Sequence, residues 1–496
     1  MIMISRVGGL AVLVHAFMML ARIHIKPQIS PWQPQQKRPK THGIPTNVLR
    51  LGDLPGYTGW ARPAETLTGW FEILDLPAVS VNAGDYWNVS VACRHERCQQ
   101  GGSLFYVRAY GRSIVSGQVH DRGNGAYDVS ILFMDPGPHT VELVLTFSTP
   151  LTIDKFPVTD TEPAYEGYLL PGFPLTVHVI GDLITPPSRR CAFSDLVENT
   201  PTSAIEQGRW LVDNHQVSQL SGVGSSSLQT ASQVGYQMGV NSLGFATEYQ
   251  PRNCRLPTME EIQTDLVSDK NKQHLHIVYI GDSNMRKQHQ LFESLLVDVQ
   301  TTYIPTNQGL LLRLPEIQQT LERLQESSVQ GVKFYIIFNS GLHDIAQLCS
   351  KRWTKKRKTY LTAVDGVSCV DQYRQSLTVL VDMLQLFPAE LTVFQTTTAG
   401  WQKWGNFGFS WDPSALQTLP FDISSCAHFN TIASSIMQKA RIPVIDAYWL
   451  TLARPDHREV DATNSIGKHL VHAGPLVYDA LLRQWVALWP TAQQMA

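Results

Sequence analysis

Two hydrophobic periods in one chain predict a multidomain protein: a β-sandwich followed by a three-layer α/β domain built on a parallel sheet. Between about Pro77 and Gly181, short β-rich runs alternate with Gly, Asn and Pro turns, the pattern of a sandwich. Beyond about Gly239 the period changes, and apolar strands alternate with stretches of helical spacing. The length of 496 residues exceeds one ordinary domain, and a composition of 43% hydrophobic and 17% charged residues excludes chain-wide disorder. With 40 basic against 42 acidic side chains the net charge is −2, so no field points to nucleic acid, and no nucleic-acid partner is expected.

At the N-terminus, Val7 to Ala21 form an apolar run of 15 residues broken only by His15, with Arg6 before it and Arg22 and Lys26 after it. That is the length of a secretory signal, short of the roughly 20 residues of a free transmembrane helix. Ala21 before Arg22 is a poor cleavage site, so residues 1–22 are expected to be a signal-anchor, with a cleaved signal peptide as the alternative. The corresponding location is the Golgi membrane, single-pass type II, with secretion as the alternative. Residues 23–50 are Pro- and Gln-rich without an acidic residue and read as a stem. Seven cysteines fit an oxidising lumen; the expected disulfides are Cys191 with Cys254, Cys349 with Cys369, and Cys93 with Cys98, leaving Cys426. The spacing supports no zinc framework, and no metal is expected. Asn88-Val89-Ser90 is the one glycosylation sequon.

The sandwich strands are read at Ser103 to Tyr110, Ser113 to Val119, Ala126 to Phe133, His139 to Phe147 and Leu175 to Ile180. The run from Phe105 through Asp121, Asn124-Gly125, Tyr127 and Pro136-Gly137 to Val141 resembles a filamin-type immunoglobulin-like repeat. The resemblance implies an immunoglobulin-like β-sandwich over residues 75–182 and a protein partner for it.

In the second part, Gln273 to Ile280, Val332 to Phe338, Glu390 to Thr396 and Ile442 to Ile445 read as strands. Met285 to Val299, Glu316 to Val329, Val370 to Phe387, Ala427 to Ala440 and Pro475 to Trp489 read as helices. Strand and helix alternation of this kind makes a parallel sheet with helices on both faces, and function collects at its carboxyl edge.

Three polar clusters fall at that edge. Gly281-Asp282-Ser283-Asn284 ends the first strand, where Gly281 permits a tight turn and the amides of the next helix can hold an oxyanion at Ser283. Asn339 to Asp344 ends the second, and Asp446, Asp461, His469 and His472 precede the last helix. A serine early and a histidine late in such a sheet can act as nucleophile and general base. Helix capping by Ser283 is the plainer alternative.

Cys191, Gly208-Arg209-Trp210, then Tyr249 to Pro257, then Gly281-Asp282-Ser283 and Gly341-Leu342-His343-Asp344 follow in the order and spacing of the SGNH/GDSL superfamily. Within it the chain resembles the PC-esterase group, which includes trichome birefringence-like and neurexophilin/PC-esterase domain proteins. The likeness covers residues 190–490 and implies an SGNH-hydrolase fold with a flavodoxin-like parallel sheet. It implies Ser283 as nucleophile and as one oxyanion donor through its amide, with Gly309 as the second. His343 stands where the family has the Asn of its Gly-x-Asn-Asp block and takes that residue's place as an oxyanion donor. Asp282, Asn284 and Asp344 are placed as substrate contacts. The late block departs from the family's Asp-x-x-His: His472 is taken as the base, His469 is the alternative, and Asp461 or Asp446 would supply the orienting acid, or none.

Trp401 and Trp404, in an aromatic loop after the third strand, can stack on a sugar ring or pack the loop, and the basic cluster from Lys351 to Lys358 can attract an anion or stand solvated. Together these readings predict a glycan O-acyltransferase or esterase, with O-acetyl transfer favoured, using a serine acyl-enzyme and no resident cofactor. An acyl donor such as acetyl-CoA, a glycan or polysaccharide substrate and a membrane held through the N-terminal anchor are its expected partners. The alternative is a catalytically inactive lumenal or extracellular glycan- or protein-binding module.

Overall fold

The computed structural model describes residues 68–75, 77–147, 168–182, 187–196, 208–212, 247–268, 275–295, 299–307, 309–327, 331–348, 367–399, 423–453, 473 and 475–489. The expected anchor and stem, Cys349, the basic loop, Trp401, Trp404, Asp461, His469 and His472 lie outside the described residues.

The first part is a sandwich of two sheets. One has four strands in the order β1 (Phe71–Ile73), β3 (Tyr86–Cys93), β7 (Ala126–Leu132) and β6 (Gln118–Asp121), all antiparallel. The other runs β12 (Thr247–Pro251), β11 (Gly208–Val212), β5 (Ser113–Ser116), β4 (Leu104–Tyr110), β8 (Gly137–Phe147), β10 (Leu175–Ile180) and β2 (Ser80–Asn82), with β9 (Tyr168–Leu169) also on β8. Alternation along each strand supplies the core between them. Trp87, Val89 and Val91 from β3 and Tyr127, Val129 and Ile131 from β7 meet Val107, Ala109, Val141, Leu143 and Leu145 from the other sheet.

The larger sheet reaches beyond the expected 75–182 boundary. Strands β11 and β12 form an antiparallel pair, and β11 joins β5 through Trp210↔Ile114 and Leu211↔Ser113. Two of the motifs that carry the family resemblance therefore lie on this hairpin, or beside it. A Cβ on Gly208 would lie 2.8 Å from Tyr249 Oη, Arg209 is buried against Asp135 at 2.6 Å, and the Cys191–Cys254 disulfide fastens the strand end. Cys93–Cys98 is also formed, and Cys369 is disulfide-bonded. Cys426 is a buried thiol.

The second part is a five-stranded parallel sheet in the order β14 (Gln300–Pro305), β13 (Leu275–Gly281), β15 (Lys333–Phe338), β16 (Ala389–Gln395) and β17 (Val444–Ile445). In chain order this is 2-1-3-4-5, the arrangement in which the crevice opens where the strand order reverses, beside the first strand. Among the described residues the α-helices in chain order are α1 (Phe193–Leu196), α2 (Met259–Ser268), α3 (Ser283–Leu295), α4 (Leu310–Ser327), α5 (Leu342–Leu348), α6 (Cys369–Leu386), α7 (Ile423–Ala440), α8 (Ala447–Leu452) and α9 (Pro475–Ala487). Strand alternation divides the sheet's side chains between two cores. Ile277, Tyr279, Tyr335, Ile337 and Val393 face Phe292 of α3 and Val477 and Trp485 of α9. Val278, Ile280, Ile336, Phe338 and Phe394 face Leu314 and Ile317 of α4, Tyr373 and Leu377 of α6 and Phe429 of α7. Burial on both faces explains why these strands read as continuous apolar runs.

The outer face of the larger sandwich sheet belongs to those same two cores: Tyr110, Ile114 and Trp210 to one, Tyr106, Val144 and Leu169 to the other. Two hydrogen bonds cross the junction, from Tyr106 Oη to Leu452 O at 2.9 Å and from Trp210 Nε1 to Leu450 O at 3.0 Å. No helix of the described residues is long and apolar enough to cross a membrane.

Candidate functional site

Strand β13 sits inside the sheet, so the turn that follows it is held from several sides. A Cβ on Gly281 would overlap Asn339 Oδ1 and lie 2.7 Å from Met285 Cβ, which leaves room for glycine alone. Asn339 Oδ1 accepts the Asp282 N–H at 3.1 Å. Tyr303 Oη donates to both Gly281 O and Asp282 O at 3.0 Å, and burial, with Asp282 nearby, holds its phenol above the ordinary value. The Thr306 N–H donates to Gly281 O at 2.7 Å. The consequence is a rigid turn that delivers Ser283, half-buried, as the first residue of α3 at the carboxyl edge of the sheet. There the helix dipole favours negative charge.

Three of the residues expected as substrate contacts, Asp282, Asn284 and Asp344, are interior. Asp282 is 2% exposed, and its Oδ1 accepts the Asn284 N–H at 2.8 Å, an Asx-type brace of the turn. Asn284 is fully buried: its Oδ1 accepts from Tyr478 Oη at 2.7 Å and from the Ala473 N–H at 3.4 Å, while Nδ2 donates to Thr398 Oγ1 at 3.4 Å. Asp344 is 1% exposed, and its two oxygens accept the Leu310 and Gly341 N–H groups at 2.7 and 3.0 Å. Burial pushes the Asp344 carboxyl up to about 6, with Asp282 adding to the rise. Tight turns orphan backbone donors, and these short side chains satisfy them locally. Facing solvent, they would leave those donors unmet.

The expected oxyanion donors fare differently. The Gly309 N–H donates to Thr306 O at 2.9 Å, so it closes its own turn, with φ at +83°. His343 is half-buried in the first turn of α5. Gly341, with φ at +139°, lies against Thr397, whose side chain would meet a Cβ there at 3.2 Å. Asp446 caps α8: its Oδ1 accepts from Thr396 Oγ1 at 3.0 Å and from the Trp449 N–H at 3.1 Å, and burial pushes its carboxyl up to about 6.

Sequence reasoning passed over Asn339 and Tyr303. Asn339 lies inside a cluster it had marked, but only the structure shows its amide against Gly281. Tyr303 stands on edge strand β14, which carries no continuous apolar run. Polar atoms at this edge also stay unmatched: Asp282 Oδ2, Asn307 Oδ1 and Thr397 Oγ1 are buried without a hydrogen-bond partner among the described residues. Among the described residues, no three His, Cys, Asp or Glu side chains group as metal ligands.

No family model matches the chain, and no curated relative matches it. Among solved structures, the filamin domain of Lin-41 is similar at 15% identity and a TM-score of 0.16, over 22% of this chain and 91% of that domain. A protein from Bacteroides vulgatus ATCC 8482 assigned as a glycoside hydrolase is similar at 11% identity and a TM-score of 0.15, over 72% of this chain and 54% of that one. At these scores neither likeness bears on the site.

Proposed function

We propose that the chain is an SGNH-type serine acyltransferase or esterase of the secretory pathway, acting on a glycan hydroxyl, with O-acetyl transfer favoured. The observation that carries this reading is Ser283 at the head of α3, on a braced turn at the carboxyl edge beside the point where the strand order reverses. The quoted motifs support it, as does Ala473, which follows His472 in the chain and donates to the side chain next to Ser283.

In the proposed reaction Ser283 Oγ attacks the acyl carbonyl of a donor such as acetyl-CoA while its proton passes to His472. The donor's leaving group takes that proton and departs, and the acyl ester remains on Ser283. A glycan hydroxyl then attacks the ester and gives its proton to the same imidazole, which returns it to Ser283 Oγ as the acyl–serine bond breaks, and the glycan leaves acylated; with an acylated glycan as donor and water as the attacking group, the same steps make the protein an esterase. Asp461 is the proposed orienting acid and His469 the alternative base. Trp401 and Trp404 are proposed sugar contacts. The sandwich is read as a filamin-type immunoglobulin-like domain that offers a protein-binding surface, and the N-terminal segment as a Golgi membrane anchor.

One observation favours the second reading, an inactive binding module: with the Gly309 N–H donated to Thr306 O, one expected oxyanion donor is occupied. A fluorophosphonate probe separates the two. The first reading expects labelling that Ser283→Ala abolishes and that His472→Ala slows about a hundredfold to ten-thousandfold, the worth of a positioned general base. His469→Ala should cost less. An unlabelled, folded wild-type chain would establish the binding module.

A further inference from the structure

The sequon Asn88-Val89-Ser90 lies in strand β3, whose alternation is complete: Trp87, Val89 and Val91 are buried in the sandwich, and Tyr86, Asn88 and Ser90 face outward. Asn88 is exposed, in register with Ser130 of β7 and, beyond it, Gln118 of β6. The outward rows around it are polar, with Asp128 and His120 opposite Ser90. Its amide nitrogen makes one local contact, 3.5 Å to Tyr86 O, at the limit of a hydrogen bond. Two residues earlier on the same face, Tyr86 is 40% exposed. Strand geometry sets side chains i and i+2 roughly 7 Å apart on one face, within reach of a sugar ring attached at Asn88.

We infer that Asn88 carries an N-linked glycan whose first sugar stacks on Tyr86. This rests on the secretory reading and is independent of the catalytic one. The modification needs a lipid-pyrophosphate-linked oligosaccharide, met as the chain enters the lumen: the Asn88 Nδ2 bonds to the anomeric carbon, the bond from that carbon to the pyrophosphate oxygen breaks, the lipid pyrophosphate leaves, and the amide nitrogen loses one proton. The Ser90 hydroxyl completes the sequon during transfer; in the folded chain it donates to Asp128 Oδ1 at 3.1 Å. Folding then presents the sugar over the polar face of the four-stranded sheet. The outer face of the larger sheet already contributes to the α/β cores, so a partner of the sandwich is left with its edges and ends.

The test is expression of the full chain with its own N-terminus in a mammalian secretory cell, followed by peptide N-glycosidase in heavy-oxygen water and mass mapping of the Asn88 peptide. The expected result is a mobility shift and conversion of Asn88 to labelled Asp. Asn88→Gln and Ser90→Ala should each lose the shift. Tyr86→Ala should keep the sequon yet lower the melting temperature of the glycosylated form, with no further drop in an Asn88→Gln background. An unmodified Asn88 peptide in wild-type protein whose Cys191–Cys254 disulfide is oxidised overturns the glycan and leaves the secretory reading intact. A chain retained in the cytosol with reduced thiols overturns both. Equal effects of Tyr86→Ala with and without the glycan overturn the stacking.

Discussion

The residue after the proposed nucleophile shows how a buried polar group can organise a site without meeting the substrate. Asn284 receives hydrogen bonds from Tyr478 Oη and the Ala473 N–H, so it fixes where the chain enters α9 relative to the head of α3. Tyr478→Phe deletes one hydroxyl and little else; it should lower stability by about 0.5–1.5 kcal/mol, the net worth of one hydrogen bond, and slow probe labelling of Ser283. Calorimetry together with labelling kinetics checks this, and a variant that labels at the wild-type rate denies Asn284 a positioning role. Asp344 makes a second prediction through its titration. Its folded value of about 6 lies above the ordinary 3.8, so its contribution to stability is complete below about pH 4 and is lost as pH rises through about 6. Asp344→Asn should therefore cost about 1–3 kcal/mol at low pH, because one carboxamide oxygen cannot serve both the Leu310 and Gly341 N–H groups. That deficit should narrow as pH rises from about 4 to about 6 and stay level above. Urea unfolding of both proteins at a series of pH values measures it; a deficit that widens with pH would reverse the sign assigned here.

At the scale of elements, what the sequence disclosed follows from how each element meets its surroundings. Strands β13, β15 and β16 were legible because burial on both faces demands unbroken apolar runs, and α6 and α7 because their buried faces recur at helical spacing. Edge strand β14, Gln-Thr-Thr-Tyr-Ile-Pro, was not legible: only Ile304 in it is fully buried, so neither period is strong. Nor was α5, in whose first turn His343 reads as an oxyanion donor and Asp344 as a substrate contact, whereas the aspartate holds two backbone amides. Strands β11 and β12 were read as family motifs without an assigned structure, because a salt-bridged arginine and a bridged cysteine look the same in sequence whether they serve a site or a hairpin. Their structural role makes a third prediction. Arg209 and Asp135 are 2% and 1% exposed, so Arg209→Ala strands a buried carboxylate and should cost about 3–5 kcal/mol. Replacing both, with Arg209→Met and Asp135→Leu, should recover most of that loss, as thermal denaturation of the single and double variants would show. A mild Arg209→Ala would place water around Asp135.

The whole molecule carries the remaining consequence, because the sandwich, besides its own core, supplies part of both cores of the parallel sheet. Tyr110, Ile114 and Trp210 are buried with the residues that pack α3 and α9 on one face of the parallel sheet, and Tyr106, Val144 and Leu169 with those that pack α4 and α6 on the other. Charged side chains are buried on the same side of the larger sheet: Arg108 pairs with Glu142 at 2.9 Å, and Tyr110 Oη donates to Glu142 at 3.2 Å. Cutting the chain before residue 190 would remove β5, the strand that β11 needs, and expose apolar surface from both cores at once. Each large side chain so uncovered costs about 1.5–3 kcal/mol, and Trp210, in register with Ile114 of the removed strand, is among them. A handful of such losses equals the 5–15 kcal/mol that holds a typical protein folded. Residues 190–490 expressed alone should therefore be insoluble or molten and should fail to label with a serine probe, whereas a chain from residue 68 onward should fold with a single cooperative transition. Circular dichroism, thermal melting and probe labelling of the two fragments decide it. A soluble, cooperatively melting 190–490 fragment would show that the sandwich is a spacer and that the second part closes its own core.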